Sequence, residues 1–276
     1  MSRTTKLAWG FFSLHVVFTL FGSLAWATLL SGPPPLWLQQ EPNATINRLA
    51  WAYLGPGTVV FGALAAILHA SERFGRRTAW TMFAVASTVA LSSELLGTST
   101  GYPFGPYEYT TLLGYRILGL VPFPIPISWY YMLYGSLAIL ARTLRPSDSS
   151  ASKWGWAALA GVILTAWDVS MDPAMVNTAH WVWHTAGAYY GMPWSNFAGW
   201  LLTGTIVARV MLAFVPPSQW TREVAPTRMP FGIYAINGVM PITICFARGM
   251  FWAGVLGTLA MAIPLGLAWR GRRDSL

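Results

Sequence analysis

Long apolar runs separated by short polar segments form the hydrophobic pattern of this chain. A helix that crosses a lipid bilayer needs about 20 predominantly apolar residues, and eight runs fall in or near that range. They predict membrane-spanning helices over Leu7–Leu30, Leu49–Ala70, Ala79–Leu96, Ile127–Leu144, Trp154–Met171, Trp194–Phe214, Phe231–Ala247 and Met250–Trp269. The pattern therefore predicts an all-α polytopic membrane protein with about eight transmembrane helices.

Composition agrees with this class. The chain has 276 residues, of which 55% are hydrophobic and only 9% are charged, whereas soluble domains carry about 25% charged residues. The first run, Leu7–Leu30, is longer than the core of about 7–15 residues in a signal peptide, so we interpret it as a transmembrane helix. We expect residues 1–276 to form a single integral membrane domain.

The basic residues predict an orientation. The net charge of +8 does not indicate nucleic-acid binding, because these residues stand at the ends of apolar runs, where they act as topology signals and contact lipid headgroups. If both termini are cytoplasmic, as we predict, only Arg48, Arg116 and Arg248 lie outside. The 14 cytoplasmic residues are then Arg3, Lys6, Arg73, Arg76, Arg77, Arg142, Arg145, Lys153, Arg209, Arg222, Arg228, Arg270, Arg272 and Arg273.

One connecting segment differs from an ordinary loop. Glu94–Trp129, which reads ELLGTSTGYPFGPYEYTTLLGYRILGLVPFPIPISW, is rich in Gly, Pro and aromatic residues. Irregular backbone at membrane depth is tolerated only where it is buried in protein or lines a cavity. We therefore expect re-entrant or outer segments to form an intramembrane pocket, with Glu94–Trp129 as one wall and Asp168–Trp200 as the other.

Four acidic residues fall in the same outer half of the predicted membrane domain: Glu94, Glu108, Asp168 and Asp172. The two aspartates are four residues apart and share a helix face, and Pro173 predicts that this helix ends at Asp172. The negative end of a helix dipole and apolar surroundings both favour a protonated acid, and the same reasoning applies to Glu94. Such carboxyls can divide the roles of general acid and base.

An alternative role for these acids is structural, for example in ion pairs with Arg116 or Arg248. Acids in membrane spans are costly and mostly functional, which favours catalysis. We assign Asp168 or Asp172 as the general acid, with Glu94 and Glu108 orienting or deprotonating water.

Aromatic side chains are the second component of the predicted pocket. Their ring faces can stabilise a cation, although aromatic residues also form belts at the membrane surface. We interpret Trp181 and Trp183 as belt members. The predicted substrate-binding residues are Tyr102, Tyr107, Tyr109, Trp129, Trp167, His184 and Asn196, the last holding a water molecule.

Motifs for cofactors are weak in this sequence. His180 and His184 could share a helix face and bind a metal with the aspartates, but the HxxxH spacing alone is common, and Cys245 is the single cysteine. Lys6 and Lys153 lie at membrane edges, which excludes a retinal Schiff base. DVSMD is similar to the acidic motifs of UbiA-type prenyltransferases, but it occurs once and lacks a basic cluster for a diphosphate. We expect no metal and no cofactor.

Four segments resemble a known family, the CruF-type carotenoid 1′,2′-hydratases, which include the bisanhydrobacterioruberin hydratases. They are ELLGTSTGYPFGPYEYT, LGLVPFPIPISWYYM, AWDVSMDPAM and WVWHTAGAYYGMPWSNFAGW, and the resemblance runs from about Ser87 to Thr203. It implies that water adds across the terminal C1′–C2′ double bond of an acyclic carotenoid, such as lycopene or γ-carotene, to give a tertiary alcohol. It also implies a bacterial or archaeal cell membrane and is compatible with association with other carotenoid enzymes.

The residues suit that chemistry. A carboxylic acid can protonate C2′, aromatic faces can stabilise the tertiary cation at C1′, and a carboxylate can take a proton from the attacking water. Two alternatives remain at this point: a membrane terpene or carotenoid cyclase with the same acid chemistry, and a carotenoid-binding or transport protein without catalysis.

Overall fold

The protein is a bundle of membrane-spanning helices. The computed structural model describes residues 1–33 and 35–271, with Trp51 described by its backbone alone. A short 3-10 helix covers Leu36–Leu38. The α-helices of the described part are α1 (Arg3–Thr28), α2 (Asn43–Phe74), α3 (Arg76–Thr100), α4 (Pro124–Thr143), α5 (Ser150–Asn177), α6 (Trp194–Phe214), α7 (Pro217–Glu223), α8 (Met229–Ala247) and α9 (Phe251–Gly271).

Each of the eight predicted spans corresponds to one long helix. Seven of these helices, all except α4, are long and apolar enough to cross a membrane. Helix α4 has 20 residues, which is also a spanning length, and it is buried continuously from Ser128 to Ala141. It packs against α2, α3, α5 and α8, so it forms the centre of the bundle. The prediction of an all-α, multi-pass membrane protein is confirmed.

Contacts between chain segments define two opposite faces of the bundle. On one face, Ser2 donates to Glu72 at 2.6 Å and Ser218 donates to Asp148 at 2.6 Å. We call this the basic face, because the residues predicted to be cytoplasmic lie at its helix ends. On the opposite face, Arg248 in the turn between α8 and α9 donates to Asn177 at 2.7 Å. Arg272 and Arg273 lie outside the described residues.

The segment that follows α3 forms three short strands, and a fourth lies between α5 and α6. The strands are β1 (Tyr107–Tyr109), β2 (Arg116–Ile117), β3 (Val121–Pro122) and β4 (Trp181–Trp183). Strands β2 and β3 form a small hairpin. Strand β1 pairs antiparallel with β4, so that Tyr107 lies opposite Trp183 and Tyr109 lies opposite Trp181. This ribbon joins the two predicted walls and caps the end of the bundle that we call the strand face.

Two glycines let the outer segment approach the helices closely. The ring of Phe104 fits between Gly97 of α3 and Gly199 of α6. A Cβ atom at Gly97 would lie 2.7 Å from a Phe104 ring carbon, and one at Gly199 would lie 2.5 Å from another. Real Cβ contacts are longer than this, so larger side chains would displace Phe104 and the backbone that leads into β1.

The prediction that a helix ends at Asp172 is wrong. Helix α5 continues through Pro173 to Asn177. Proline lacks the N–H that would reach the carbonyl four residues earlier, which here belongs to Val169. The hydroxyl of Tyr189 donates to that carbonyl at 2.9 Å instead, so the loss of the helical bond is compensated from outside the helix.

Neither carboxyl-bearing helix therefore ends at its acidic residue. Helix α3 runs on from Glu94 to Thr100, and α5 runs on from Asp172 to Asn177. The effect of the helix dipole is confined to about the last turn. The helix dipole therefore does not determine the protonation of these carboxyls, which depends on burial, which opposes a charge, and on accepted hydrogen bonds, which favour one.

Candidate active site

A cavity of about 410 Å³ lies beneath the β1–β4 ribbon. This volume is within the range of about 300–1,000 Å³ that is usual for small-molecule sites. Its wall combines the side chains of Glu94, Asp172 and Asn196 with apolar residues. Toward α1 and α2 the wall becomes mostly apolar, with Phe21, Ala25, Leu29, Ile46, Ala50 and Leu54.

Glu94 is held by three hydrogen-bond donors. Its Oε2 atom accepts from the hydroxyl of Tyr107 at 2.6 Å and from that of Tyr109 at 2.8 Å. Its Oε1 atom accepts from the indole N–H of Trp129 at 3.0 Å. The side chain is only 3% exposed. Both tyrosines come from β1 and the tryptophan comes from α4, so the fold brings three separate elements to this carboxyl.

The two tyrosines act as donors because they keep their protons. Burial and the neighbouring Glu94 raise the pKa of Tyr107 well above its usual value, and the same causes raise the pKa of Tyr109. Alternation along a strand places Tyr107 and Tyr109 on the same side of β1. The sequence YEY thus aims two hydroxyls at Glu94.

Asp168 and Asp172 form a pair linked by Asn196. The amide nitrogen of Asn196 lies 2.9 Å from Asp168 Oδ2 and 3.5 Å from Asp172 Oδ2. Both aspartates are buried, as expected for two acids on one helix face. Asp172 lines the cavity, whereas Asp168 contacts it through Asn196. The remaining oxygen of Asp168, Oδ1, has no hydrogen-bond partner in the described part of the chain.

Trp181 and Trp183 belong to the site, contrary to their interpretation as belt residues. The indole N–H of Trp181 donates to Asp172 Oδ1, and that of Trp183 lies 3.3 Å from Asp172 Oδ2. Trp181 is only 7% exposed. The alternation in WVW matches that in YEY, and this shared pattern of aromatic residues at every second position is the sequence signal that would have indicated a paired ribbon.

Aromatic rings form a continuous surface beside the carboxyls. Trp129 stacks on Trp200 with ring centroids 4.6 Å apart, and Trp167 meets Trp200 edge to face at 5.9 Å. All three residues line the cavity, and so do Phe104 and His180. Trp200, Phe104 and His180 were not among the predicted substrate-binding residues. They come from segments that are distant in sequence and meet only in the fold.

Three predicted site residues lie away from the cavity. Glu108 points outward from β1, between the two inward tyrosines, and its side chain is 68% exposed. His184 lies 3.8 Å from it and is 51% exposed. Tyr102 is 64% exposed. These three residues lie at the same end of the bundle as the buried acids but do not reach the cavity, because strand alternation and the turn before β1 direct them toward the strand face.

His180 and His184 do not share a helix face either, because β4 separates them. Within residues 1–33 and 35–271, no group of three or more His, Cys, Asp or Glu side chains is placed to hold a metal ion.

The alternative of structural ion pairs with arginine finds no support at the buried acids. Arg116 donates to the carbonyl of Tyr109 at 2.9 Å. Arg248 donates to Asn177 and to the carbonyl of Ser31. Glu94 and Asp172 instead accept hydrogen bonds from neutral indole and phenol groups, so neither forms an ion pair with these two arginines.

The sequence of this chain is similar to those of proteins of carotenoid biosynthesis. Bisanhydrobacterioruberin hydratase of Haloarcula japonica is 28% identical over 199 residues, which make up 71% of this chain and 62% of that protein. The chain thus matches less than two thirds of that relative's length. No solved structure matches the chain. The family described as "Carotenoid biosynthesis protein" matches residues 54–264, which include every cavity residue from Leu54 onward. The protein belongs to the carotenoid biosynthesis protein family.

Proposed function

We propose that the protein is a carotenoid hydratase that adds water across the terminal C1′–C2′ double bond of an acyclic carotenoid end and forms a tertiary alcohol. The observation that carries this proposal is the placement of Glu94 and Asp172 on one apolar, aromatic-lined cavity. Family membership and a hydratase relative support the same reaction class.

The aspartate pair is the proton source. Two carboxyls joined through one amide group repel each other when both are charged, so the pair retains one proton at low cost. Asp172 is the member that lines the cavity. Its Oδ2 contacts, at 3.3 and 3.5 Å, are long for hydrogen bonds, which leaves this oxygen free to carry the proton to C2′.

The cation that forms at C1′ is stabilised by two kinds of group. The faces of Trp129, Trp167 and Trp200 present negative electrostatic potential to it. We assign the carboxylate role to Glu94, because its three donated hydrogen bonds favour the charged form and act against the burial that opposes it. The 2.6 Å distance from Tyr107 lies in the range of a charge-assisted O–H···O⁻ bond.

The polyene chain extends from this reactive end into the apolar part of the cavity. Residues of α1 and α2 line that part, and neighbouring side chains such as Leu24 and Ile46 are exposed on the outside of the bundle. A hydrophobic substrate dissolved in the bilayer can reach the cavity from this side and present one end to the carboxyls. The proposed reaction uses an acid, a carboxylate and water, and it needs no redox cofactor.

Expression in a bacterium that produces lycopene or γ-carotene tests this function. A hydratase yields a pigment whose mass has increased by one water molecule. A new pigment of unchanged mass would show a cyclase, and recovery of the unmodified pigment with the protein would show a binding or transport protein. Either of these outcomes would contradict the proposal.

A further inference from the structure

We propose that His180 is the general base that removes a proton from the attacking water, an inference that rests on the proposed hydratase function. His180 follows α5 and lines the same cavity as Asp172 and Glu94. A base in this position needs a lone pair that is not already engaged and that faces the space where water would sit.

The hydrogen bonds of Thr178 favour one tautomer of His180. The hydroxyl of Thr178 donates to the carbonyl of Ala174 at 2.8 Å, and with its hydrogen so used its oxygen can accept from His180 Nδ1, which lies 2.7 Å away. We therefore assign the proton to Nδ1 and the lone pair to Nε2.

That lone pair is free. Within the described residues, the ring of His180 forms its hydrogen bond through Nδ1, to Thr178, and not through Nε2. The carboxylate oxygens of Glu94 accept three hydrogen bonds, and Asp172 accepts from Trp181 and Trp183. His180 therefore supplies a basic atom on the cavity wall that no neighbouring donor occupies.

The backbone holds the imidazole in a fixed position. The N–H of His180 donates to the carbonyl of Met175 at 2.9 Å, and that of Ala179 donates to Val176 at 3.1 Å. Ala179 has a φ of 57°, so α5 ends in the left-handed turn of a Schellman motif. The carbonyl of His180 accepts from the N–H of Thr110 at 3.0 Å, which ties the residue to the chain that leaves β1.

The imidazole is also in the form that can accept a proton. Burial lowers the pKa of His180 to about 4, so the ring is neutral near neutral pH. In the proposed step, the water oxygen forms a bond to C1′ while one water proton moves to His180 Nε2. Asp172 has by then given its proton to C2′. Transfer of the proton from the imidazolium back to the aspartate pair restores both groups, and the net change is addition of one water molecule.

Reaction in deuterated water separates this role from that of the acid. With His180→Gln, we expect formation of the alcohol to fall by about 100-fold or more, the usual contribution of a general base. Protonation of C2′ should continue, and a cation that is not captured returns to an alkene by losing a proton. Recovered substrate should therefore carry deuterium, as measured by mass spectrometry.

Three further variants complete the experiment. Val182→Ala changes an outward-facing residue two positions away and should leave both rates unchanged, with folding verified by thermal unfolding. Asp172→Asn should lose deuterium uptake together with hydration. Thr178→Val removes the acceptor for Nδ1–H and should shift the ratio of alcohol to labelled alkene in the same direction as His180→Gln, by a smaller factor.

The inference is wrong if folded His180→Gln forms alcohol at the wild-type rate, or if it loses deuterium uptake as completely as Asp172→Asn. If His180→Gln does not fold, an unchanged product ratio in Thr178→Val overturns the inference. Failure of the wild-type protein to hydrate any acyclic carotenoid end would instead refute the proposed function, and this inference with it.

Discussion

At the scale of single residues, Glu94 and Asp172 present two differently supported carboxyls to one cavity. Glu94 receives hydrogen bonds from two phenols and an indole. Asp172 shares the amide of Asn196 with a second carboxyl, that of Asp168. Different surroundings can give two carboxyls different roles. We accordingly assign proton donation to the aspartate pair and stabilisation of the cation to Glu94.

This assignment predicts unequal effects within the pair. Asp172→Asn should reduce the rate of hydration by about 100- to 10,000-fold, the range attributed to a general acid. Asp168→Asn should reduce it less, because Asp168 reaches the cavity only through Asn196. Initial rates with the purified variants test the prediction, and a larger loss for Asp168→Asn than for Asp172→Asn would reverse the roles of the two residues.

Glu94 allows its structural and catalytic roles to be separated. Glu94→Ala leaves the donors of Tyr107, Tyr109 and Trp129 buried without an acceptor, at a cost of about 1–3 kcal/mol for each unsatisfied group. Glu94→Gln keeps an acceptor for Trp129 and offers its NH₂ group to the phenol oxygens. We expect a clearly lower thermal unfolding midpoint for Glu94→Ala than for Glu94→Gln.

Activity should be lost in both Glu94 variants, because neither retains a negative charge next to the cation. Full activity in a folded Glu94→Gln protein would exclude this electrostatic role.

At the scale of elements, helix α5 carries both aspartates through a proline. The carbonyl of Val169, freed by Pro173, accepts from Tyr189. Tyr189→Phe should therefore lower the free energy of unfolding by about 1 kcal/mol, the net value of a typical hydrogen bond. Tyr190→Phe removes a neighbouring hydroxyl that forms no hydrogen bond with α5 within the described residues, and it serves as the control. Equal thermal midpoints for the two variants would show that Tyr189 does not support the helix.

The same scale shows what the sequence could and could not predict. The eight long helices follow from the lengths of apolar runs, because a bilayer imposes those lengths. The β1–β4 ribbon could not be located in this way, since each strand has three residues and the partners are more than 70 positions apart. Pairing at such a distance depends on the packed helices. The inward positions of Trp181 and Trp183 and the outward position of Glu108 follow from that pairing, so they could not be predicted either.

At the scale of the whole molecule, the structure establishes two faces, and the charge distribution assigns them to compartments. The basic residues predict that the basic face is cytoplasmic, which places the β1–β4 ribbon and the cavity toward the outer surface of the membrane.

Thiol labelling in intact cells tests this orientation. Tyr115 is exposed near the β2–β3 hairpin, and Ser147 is exposed in the connection between α4 and α5, so each can be replaced by a cysteine that the reagent can reach. We expect a membrane-impermeant reagent to label Tyr115→Cys at once and Ser147→Cys only after permeabilisation. The wild-type protein is the control, because its Cys245 is buried. The reverse pattern would invert the topology.

Addition of water to an acyclic carotenoid end in this cavity can be measured with purified protein in lipid vesicles, an acyclic carotene and water enriched in heavy oxygen, followed by mass spectrometry of the pigment. We expect a tertiary alcohol whose hydroxyl carries the heavy oxygen, and a loss of that product in Asp172→Asn. A product of unchanged mass, or a labelled alcohol formed equally well by Asp172→Asn, would contradict this expectation.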